Sequence, residues 1–506
     1  MPCTLRGLLD VLSKEWEIEL PKELDTLEIG HVVTDSRDVS SGDVFVALAG
    51  SETDGQQFIP MAVSAGASAI FQIAEVASIT TVDGCWYVKI PCLPQHLLSL
   101  LQYRYPDASN LSLLGVTGTN GKSSITQYVA QLATALGYPC GVVGTVGNGI
   151  WPNLVPTRNT TPGLAVMYRV LDEFAREGAR FAAVEVSSHG LDQGRVNGLR
   201  VSSAALTNLT QDHLDYHGDM ESYYQAKRRL FTDFGISNAL INTGSEYGQR
   251  LLVELDSSIR VISVDSVGAQ LNPDIDTGSS VRWSLLDFSD QGMQVHLSTP
   301  WGDEEFQLPL IGDFNLANTA QAIAMLACEG LNFGQLVEAA STLRPVAGRM
   351  ELFSRKDSPG VVLDFAHTPD ALDNVLRSLS LWNKPIFVVF GCGGDRDREK
   401  RPLMTAAALR YGATVILTDD NPRFEDPDQI WADALQIEGA ERVKCEHDRR
   451  LAIEGAITQA PSEGLVLIAG KGHEDYQDIQ GRKRPFSDLA VLENLGYQRV
   501  GEKCVS

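Results

Sequence analysis

The sequence predicts an α/β chain of three domains, and three observations carry that prediction. At 506 residues the chain is longer than a single hydrophobic core usually serves. Short apolar runs alternate with helical patterns along much of its length, as in parallel sheets wrapped by helices. The run GVTGTNGKSS at 115–124 lies between an apolar stretch and an amphipathic segment, which is a strand–glycine loop–helix layout.

Residues 1–106 make the first block, a small α/β domain in which apolar runs at 44–48 and 69–73 alternate with turns. Residues 105–110 are polar, contain a proline and read as a linker. The central block, 107–345, opens on an apolar strand at 111–116, then the glycine loop, then a helical spacing at 125–136. Runs at 181–186 and 203–206 read as further buried strands of a mainly parallel sheet, and 312–330 as a helix. The third block, 346–506, has runs at 361–365, 386–390, 414–417 and 465–469 separated by helical patterns, a Rossmann-like doubly wound sheet. Ligands gather beyond the carboxyl ends of such strands. The residues that follow these runs are His367 and the segments 391–396, 419–423 and 470–474, all polar or glycine-rich. They are expected to form one binding surface facing the central block.

Composition narrows the partners. The chain is 43% hydrophobic and 21% charged, with a formal charge of −24. Nucleic acid and anionic membrane surfaces both need a basic face, so small molecules are the expected partners. No run of about twenty apolar residues would span a bilayer, and the N-terminus lacks a signal-peptide pattern. The eight cysteines are scattered and form no Cys-x-x-Cys pair, so neither zinc site nor disulfide framework is indicated. A cytoplasmic monomer is expected.

The glycine loop carries the first chemistry. Gly118 and Gly121 let backbone N–H groups approach phosphate oxygens, and the helix start adds positive dipole. Only Thr119 and Asn120 separate these glycines, so the loop is a shortened relative of G-x-x-x-x-G-K-[ST]. Lys122 would reach the terminal phosphates and Ser123 would ligate Mg²⁺. The loop implies a nucleoside triphosphate such as ATP.

Other constellations admit two readings each. Glu185 ends an apolar run and is either a Mg²⁺ ligand beside the phosphates or a solvated strand-end charge. Asp212, His213, Asp215 and His217 fall within six residues, either a second Mg²⁺ site or a polar loop; the spacing fits no standard zinc pattern. Lys227 lies in an amphipathic segment at 222–231, where most lysines face solvent, and nothing in the residues themselves marks it. Arg396 and Arg423 belong either to solvated loops or to a fork for a substrate carboxylate, which points to an amino acid.

Taken together these runs resemble the Mur ligases, ATP-dependent amide-bond-forming enzymes of peptidoglycan synthesis. The matching segments are Gly118–Ser124 (GTNGKSS), 159–162 (NTTP), 185–190 (EVSSHG), Asn208 with 212–215 (DHLD), 312–315 (GDFN), Gly348-Arg349, 364–370 (DFAHTPD) and 470–474 (GKGHE), with 34–37 (TDSR) in the first block. The segment 420–423 (DNPR) is similar to the motif that, in this family, selects meso-diaminopimelate over L-lysine. Diaminopimelate carries a second carboxylate that lysine lacks, and Arg423 with Arg396 would clamp it.

The resemblance implies a role for each matching residue. It implies that the first domain binds the uridine nucleotide through Thr34, Ser36, Ser51, Glu52 and Thr53. Asn159, Thr160, Thr161, Ser187, Gln193 and Arg195 would orient UDP-N-acetylmuramoyl-L-alanyl-D-glutamate. ATP would lie on Gly118, Thr119, Asn120, Gly121, Lys122, Ser123 and Ser124, with Asn315, Arg349 and Asp364. Arg396, Asp420, Asn421, Pro422, Arg423, Gly470 and Glu474 would hold diaminopimelate. Lys227 aligns with the family's carbamylated lysine, whose CO₂-derived carbamate supports a second Mg²⁺, with His213 on the same metal and Glu185 on the first. Two departures stand out: the loop ends Lys-Ser-Ser where relatives commonly have Thr, which keeps a hydroxyl for the metal, and Phe365 replaces the usual Tyr. The implied activity adds meso-diaminopimelate through an acyl phosphate. Its alternatives are the lysine-adding version, folylpolyglutamate synthase, which shares the ATPase core, and a nucleotide switch that makes no bond.

Overall fold

A computed structural model of the chain describes residues 3–12, 20–50, 53–267, 279–412 and 414–500. Three sheets follow one another along these residues, with a small hairpin beside the last. The first has five strands, Val32–Val33, Val44–Ala47, Ala69–Ile73 and Cys85–Ile90 in parallel, then Ser78–Val82 antiparallel at the edge.

The second sheet has ten strands and is parallel at its centre. Ser112–Thr117 lies between Phe181–Glu185 on one side and Val201–Leu206 on the other. The chain leaves Ser112–Thr117 toward Cys140–Val143 in one direction and later adds Val201–Leu206 in the other, so the strand order reverses at Ser112–Thr117. In an open α/β sheet that reversal opens a crevice at the strand's carboxyl end, and there the glycine loop sits. Helices Lys122–Ala135 and Asp313–Cys328 cover one face; Leu164–Arg176 and Met220–Thr232 cover the other. Every residue of Phe181–Glu185 is buried, as a strand covered on both faces requires. The far edge of this sheet, Ser280–Ser289, Gly292–Thr299 and Gly302–Leu308, pairs antiparallel and is not among the strands expected from apolar runs. These strands are partly solvated and offer no continuous apolar run.

The third sheet places Leu465–Ala469 between Gly360–Asp364 and Ile386–Phe390, with Thr414–Thr418 and Val443–Glu446 beyond, all parallel. The strands expected from apolar runs appear here within a residue or two. Thr368 caps the helix Pro369–Ser380 through Ala371 N, so the chain turns sharply after Asp364 and leaves His367 at the strand end.

The expected linker is not a loose tether. Pro106–Asn110 is a short 3₁₀ helix, and Tyr105 before it is buried. The Tyr105 hydroxyl accepts from Val32 N at 3.1 Å, and Asp107 N donates to Asp172 at 3.0 Å. This segment therefore clamps the first sheet to the second.

Candidate active site

The glycine loop is shaped by its neighbours. Gly118 has φ +144° and Gly121 φ +86°. A Cβ on Gly118 would overlap the Thr207 hydroxyl, and one on Gly121 would press on Asn318 Oδ1, so neither position admits a side chain unchanged. Asn120 N donates to Asn208 Oδ1 at 2.9 Å, and Thr119 N to Asn208 O at 3.0 Å. Lys122 Nζ folds over the loop, donating to the carbonyls of Gly118 and Thr119 at 2.8 Å each. Burial lowers its pKa despite the pull of Glu185 and Asp212. Ser123 and Ser124 open the helix and are buried beneath the loop.

Glu185 is 1% exposed, so it is not a solvated strand-end charge. It accepts from Thr145 N at 2.9 Å and from Thr145 Oγ1 at 3.0 Å. Thr145 also meets Thr160 Oγ1 at 3.0 Å. Thr161 Oγ1 donates to the Glu185 carbonyl at 2.8 Å and accepts from Ser187 N, while Arg195 Nη1 donates to Thr161 O at 2.8 Å and its Nη2 to Gln193 Oε1. Five of the six residues assigned to the muramoyl dipeptide, Thr160, Thr161, Ser187, Gln193 and Arg195, thus form one network beside Glu185. Asn159 adjoins them through its carbonyl, which accepts from Thr157.

Lys227 departs from its expectation as a solvent-facing lysine. It is 2% exposed, donates to Gly118 O at 2.8 Å and lies 4.5 Å from the centre of the Tyr223 ring. The helix Met220–Thr232 turns this position inward against the glycine loop. Burial, then the charge of Lys122, pushes its pKa well below that of an ordinary lysine, which favours the neutral amine. His213, at φ +55°, sits 3.4 Å from Asp212 and edge-on to His189 at 4.9 Å between ring centres. Burial lowers its pKa despite Asp212, and a neutral imidazole is the form that binds metal. Among the described residues no group of three or more His, Cys, Asp or Glu is arranged to hold a metal by itself.

The polar strand ends of the third sheet do face the glycine loop. Asn120 Nδ2 donates to Asp370 Oδ2 at 3.2 Å, Gln211 Nε2 to Asp397 Oδ2 at 3.3 Å, and Lys400 Nζ lies 3.7 Å from Asp212. Asp370, Lys400 and Thr145 were not singled out from sequence; only the place of Asp370 in the 364–370 run hinted at it. Of the residues assigned to the rest of ATP, Asn315 is bonded to Ile311 O and Tyr128, and Asp364 accepts from Met350 N and Ala366 N. Arg349 stacks on Phe365 at 4.5 Å and keeps a buried Nε without a hydrogen-bond partner. Phe365 thus serves Arg349 through its ring face, which a missing hydroxyl leaves intact.

Among the residues expected to take the amino acid, Arg423 adopts φ +53° and its Nη1 donates to Gly394 O at 2.5 Å, while Arg396 Nη1 donates to Asp395 O at 3.1 Å. Asn421 Nδ2 donates to Glu474 Oε2 at 3.0 Å, and a Cβ on Gly470 would come within 3.2 Å of Asp420 Oδ2. The Pro422 carbonyl accepts from Glu425 N at 3.1 Å, so a turn opens at Pro422. Ser36 is buried against Met61, Thr34 is half-buried and Thr53 is exposed in the first domain. Ser51 and Glu52 lie outside the described residues. No described helix is long and apolar enough to cross a membrane.

Comparison with known proteins adds to this geometry. Three family models match in chain order: the Mur ligase family catalytic domain over 28–89, the Mur ligase middle domain over 116–326, and the Mur ligase glutamate ligase domain over 348–472. A UDP-N-acetylmuramoyl-L-alanyl-D-glutamate–2,6-diaminopimelate ligase from Neisseria meningitidis serogroup A is 43% identical, over 91% of this chain and 93% of the relative. One of the same name from Chromobacterium violaceum is 40% identical, over 95% and 96%. A solved structure of a ligase with that name has a TM-score of 0.64 at 35% identity, over 98% of both chains.

Proposed function

The chain belongs to the Mur ligase family, and from that premise we infer that it is the ATP-dependent ligase adding meso-diaminopimelate to UDP-N-acetylmuramoyl-L-alanyl-D-glutamate. The observation that carries the reading is that the sheet whose strand ends bear Arg396, Arg423 and Glu474 meets the glycine-loop side of the central sheet, Asp370 accepting from Asn120 and Asp397 from Gln211. One handles a phosphoryl group and the other suits a zwitterionic amino acid. The division of labour at about residues 106 and 345 is part of the same proposal, as is a cytoplasmic place of work on a precursor carrying a nucleotide.

In the reaction, the γ-carboxylate of the D-glutamyl residue attacks the γ-phosphorus of ATP, forming an acyl phosphate and releasing ADP. Activation is needed because oxide is a poor leaving group from a carboxylate. The neutral amine of diaminopimelate then attacks the acyl carbon, phosphate departs, and the amine proton passes to a base. His367, buried with its pKa lowered by burial, is a candidate for that base, as is Glu474. Lys122 stabilises charge on the phosphoryl oxygens. Thr160, Thr161, Ser187, Gln193 and Arg195 orient the dipeptide, and Thr34, Ser36, Ser51, Glu52 and Thr53 its uridine end.

The donor set suits Mg²⁺, which takes one or two carboxylates and otherwise phosphates and water. Glu185 keeps lone pairs beyond its two bonds to Thr145, and Ser123 adds a hydroxyl. A buried, neutral Lys227 suits carbamate formation, since CO₂ reacts with the free amine; His213 would share that site. Bound there, Mg²⁺ supplies neutralisation of the charge on the phosphates and the carbamate supplies an oxygen ligand.

ADP release with the UDP-muramoyl dipeptide, measured with meso-diaminopimelate and with L-lysine, tests the reading. Turnover with diaminopimelate alone is expected. Turnover with lysine would keep the ligase and discard the specificity; turnover with neither would return folylpolyglutamate synthesis or a nucleotide switch to consideration.

A further inference from the structure

Behind the amino-acid cluster lies a cation that the reaction above does not use. Lys471 follows the strand Leu465–Ala469 by two residues and is 0% exposed. Its Nζ donates to Asp420 Oδ1 at 3.3 Å, Asn421 Oδ1 at 3.1 Å and Glu474 Oε2 at 2.9 Å. An ammonium has three N–H donors, and here each meets a side chain assigned above to diaminopimelate. Those side chains come from two separate strand-end turns, so Lys471 sets the spacing between them. Asn421 closes the cluster, donating to Glu474 Oε2 at 3.0 Å and accepting from Asp478 N at 2.9 Å.

The charges in this cluster bear on selectivity. Asp420 and Glu474 are two carboxylates on one pocket wall, and without a cation between them they would repel each other and attract any ammonium. The neighbouring buried cation, Arg449, spends two bonds of 2.8 Å on Asp488 and acts on Asp420 and Glu474 only through space, so Lys471 is the cation that bonds them directly. Lys471 therefore offsets one of the two negative charges. The remaining charge on that wall, set against Arg396 and Arg423, matches a group bearing one ammonium and one carboxylate. The distal end of L-lysine offers an ammonium alone and nothing for the guanidinium groups.

Resting on the amino-acid specificity proposed above, we infer that Lys471 is a positioning and specificity-determining residue. By committing its three donors to Asp420, Asn421 and Glu474 it keeps the pocket from acting as a paired-carboxylate trap for a lone ammonium.

The experiment compares the full-length wild type with Lys471→Met and Lys471→Arg in the ADP-release assay. In Lys471→Met the KM for meso-diaminopimelate is expected to rise about tenfold or more, the scale of a lost charge-assisted hydrogen bond. The ratio of kcat/KM for L-lysine over diaminopimelate should rise by about the same factor, while the KM values for ATP and the UDP-dipeptide stay within about twofold. Lys471→Arg, which keeps the charge without the three-point geometry, should raise the diaminopimelate KM but shift the ratio less. An unchanged ratio in Lys471→Met, or a rise in all three KM values together, would overturn the inference. If Lys471→Met does not fold, Lys471→Arg decides: a selective rise in the diaminopimelate KM supports the inference, and wild-type constants reject it. A wild type that fails to turn over diaminopimelate would instead overturn the proposed function itself.

Discussion

Lys227 illustrates how far a side chain's surroundings can depart from its residue type. An amphipathic segment and a lysine suggest a solvated ammonium, yet this one lies in the core against Gly118 O and the Tyr223 ring. A buried amine with few acceptors is held neutral, and a neutral amine is what carbamate chemistry requires. Lys227→Ala is expected to lower ADP release about a hundredfold or more, by analogy with losing one transition-state donor, and bicarbonate should not rescue it. A variant close to wild type in the same assay would remove the carbamate from the proposal. His473 makes a prediction about pH. Burial, then the charge of Arg349, pulls it from 6.5 to about 4. Between those values the unfolded chain binds the proton and the folded one does not, so stability rises with pH across this window. Melting temperature should therefore fall on acidification from about pH 6.5 to about 4, and His473→Gln should lessen that slope.

At the scale of elements, buried polar contacts fix how helices and sheets meet. Arg449, at the start of the helix Arg449–Gln459, and Asp488, at the start of Asp488–Asn494, have fully buried side chains joined by two bonds of 2.8 Å. Arg449 also donates to Ala469 O at 2.9 Å, tying both helices to the strand that carries Lys471 and Glu474. Removing one partner leaves a buried charge uncompensated. Asp488→Ala is accordingly expected to destabilise the protein by about 3–5 kcal/mol, measured by urea unfolding. A change within experimental error would mean that water or a rearranged neighbour replaces the carboxylate. The 3₁₀ helix at Pro106–Asn110 works in the same manner through Tyr105 and Asp107, which is why a segment polar enough to read as a linker is a fixed joint.

For the whole molecule, the contact between the second and third sheets matters most. Asp370 accepts from Asn120 of the glycine loop and lies 3.5 Å from the Thr210 hydroxyl, while Lys400 approaches Asp212. The glycine loop and the third sheet thus meet through side chains of both, and in the proposed ligase a change at this contact is expected to act on both halves of the site. Asp370→Ala should lower kcat/KM for ATP roughly tenfold, the scale of one hydrogen bond to a carboxylate, with melting temperature nearly unchanged. Paired with Asn120→Ala, the two effects should fall short of additive. Full additivity would mean that the contact does not couple the domains.

The sequence by itself determined the fold class, the strands of the doubly wound third sheet and the glycine loop. It could do so because each is written in short-range signals: a strand's apolar run, a helix's period, a glycine where a side chain would collide. The matching segments carried the family and the chemistry expected of it. Only the tertiary structure decided that Glu185 and Lys227 are buried, that Asp370 meets the loop, and that Lys471 sits among three assigned ligands. Lys227 meets Gly118 across 109 positions and Asn120 meets Asp370 across 250. No local pattern encodes such pairs, because burial and partner charge are set by how separate elements pack, and those determine whether a lysine is a solvated ion, a neutral amine or the brace of a binding pocket.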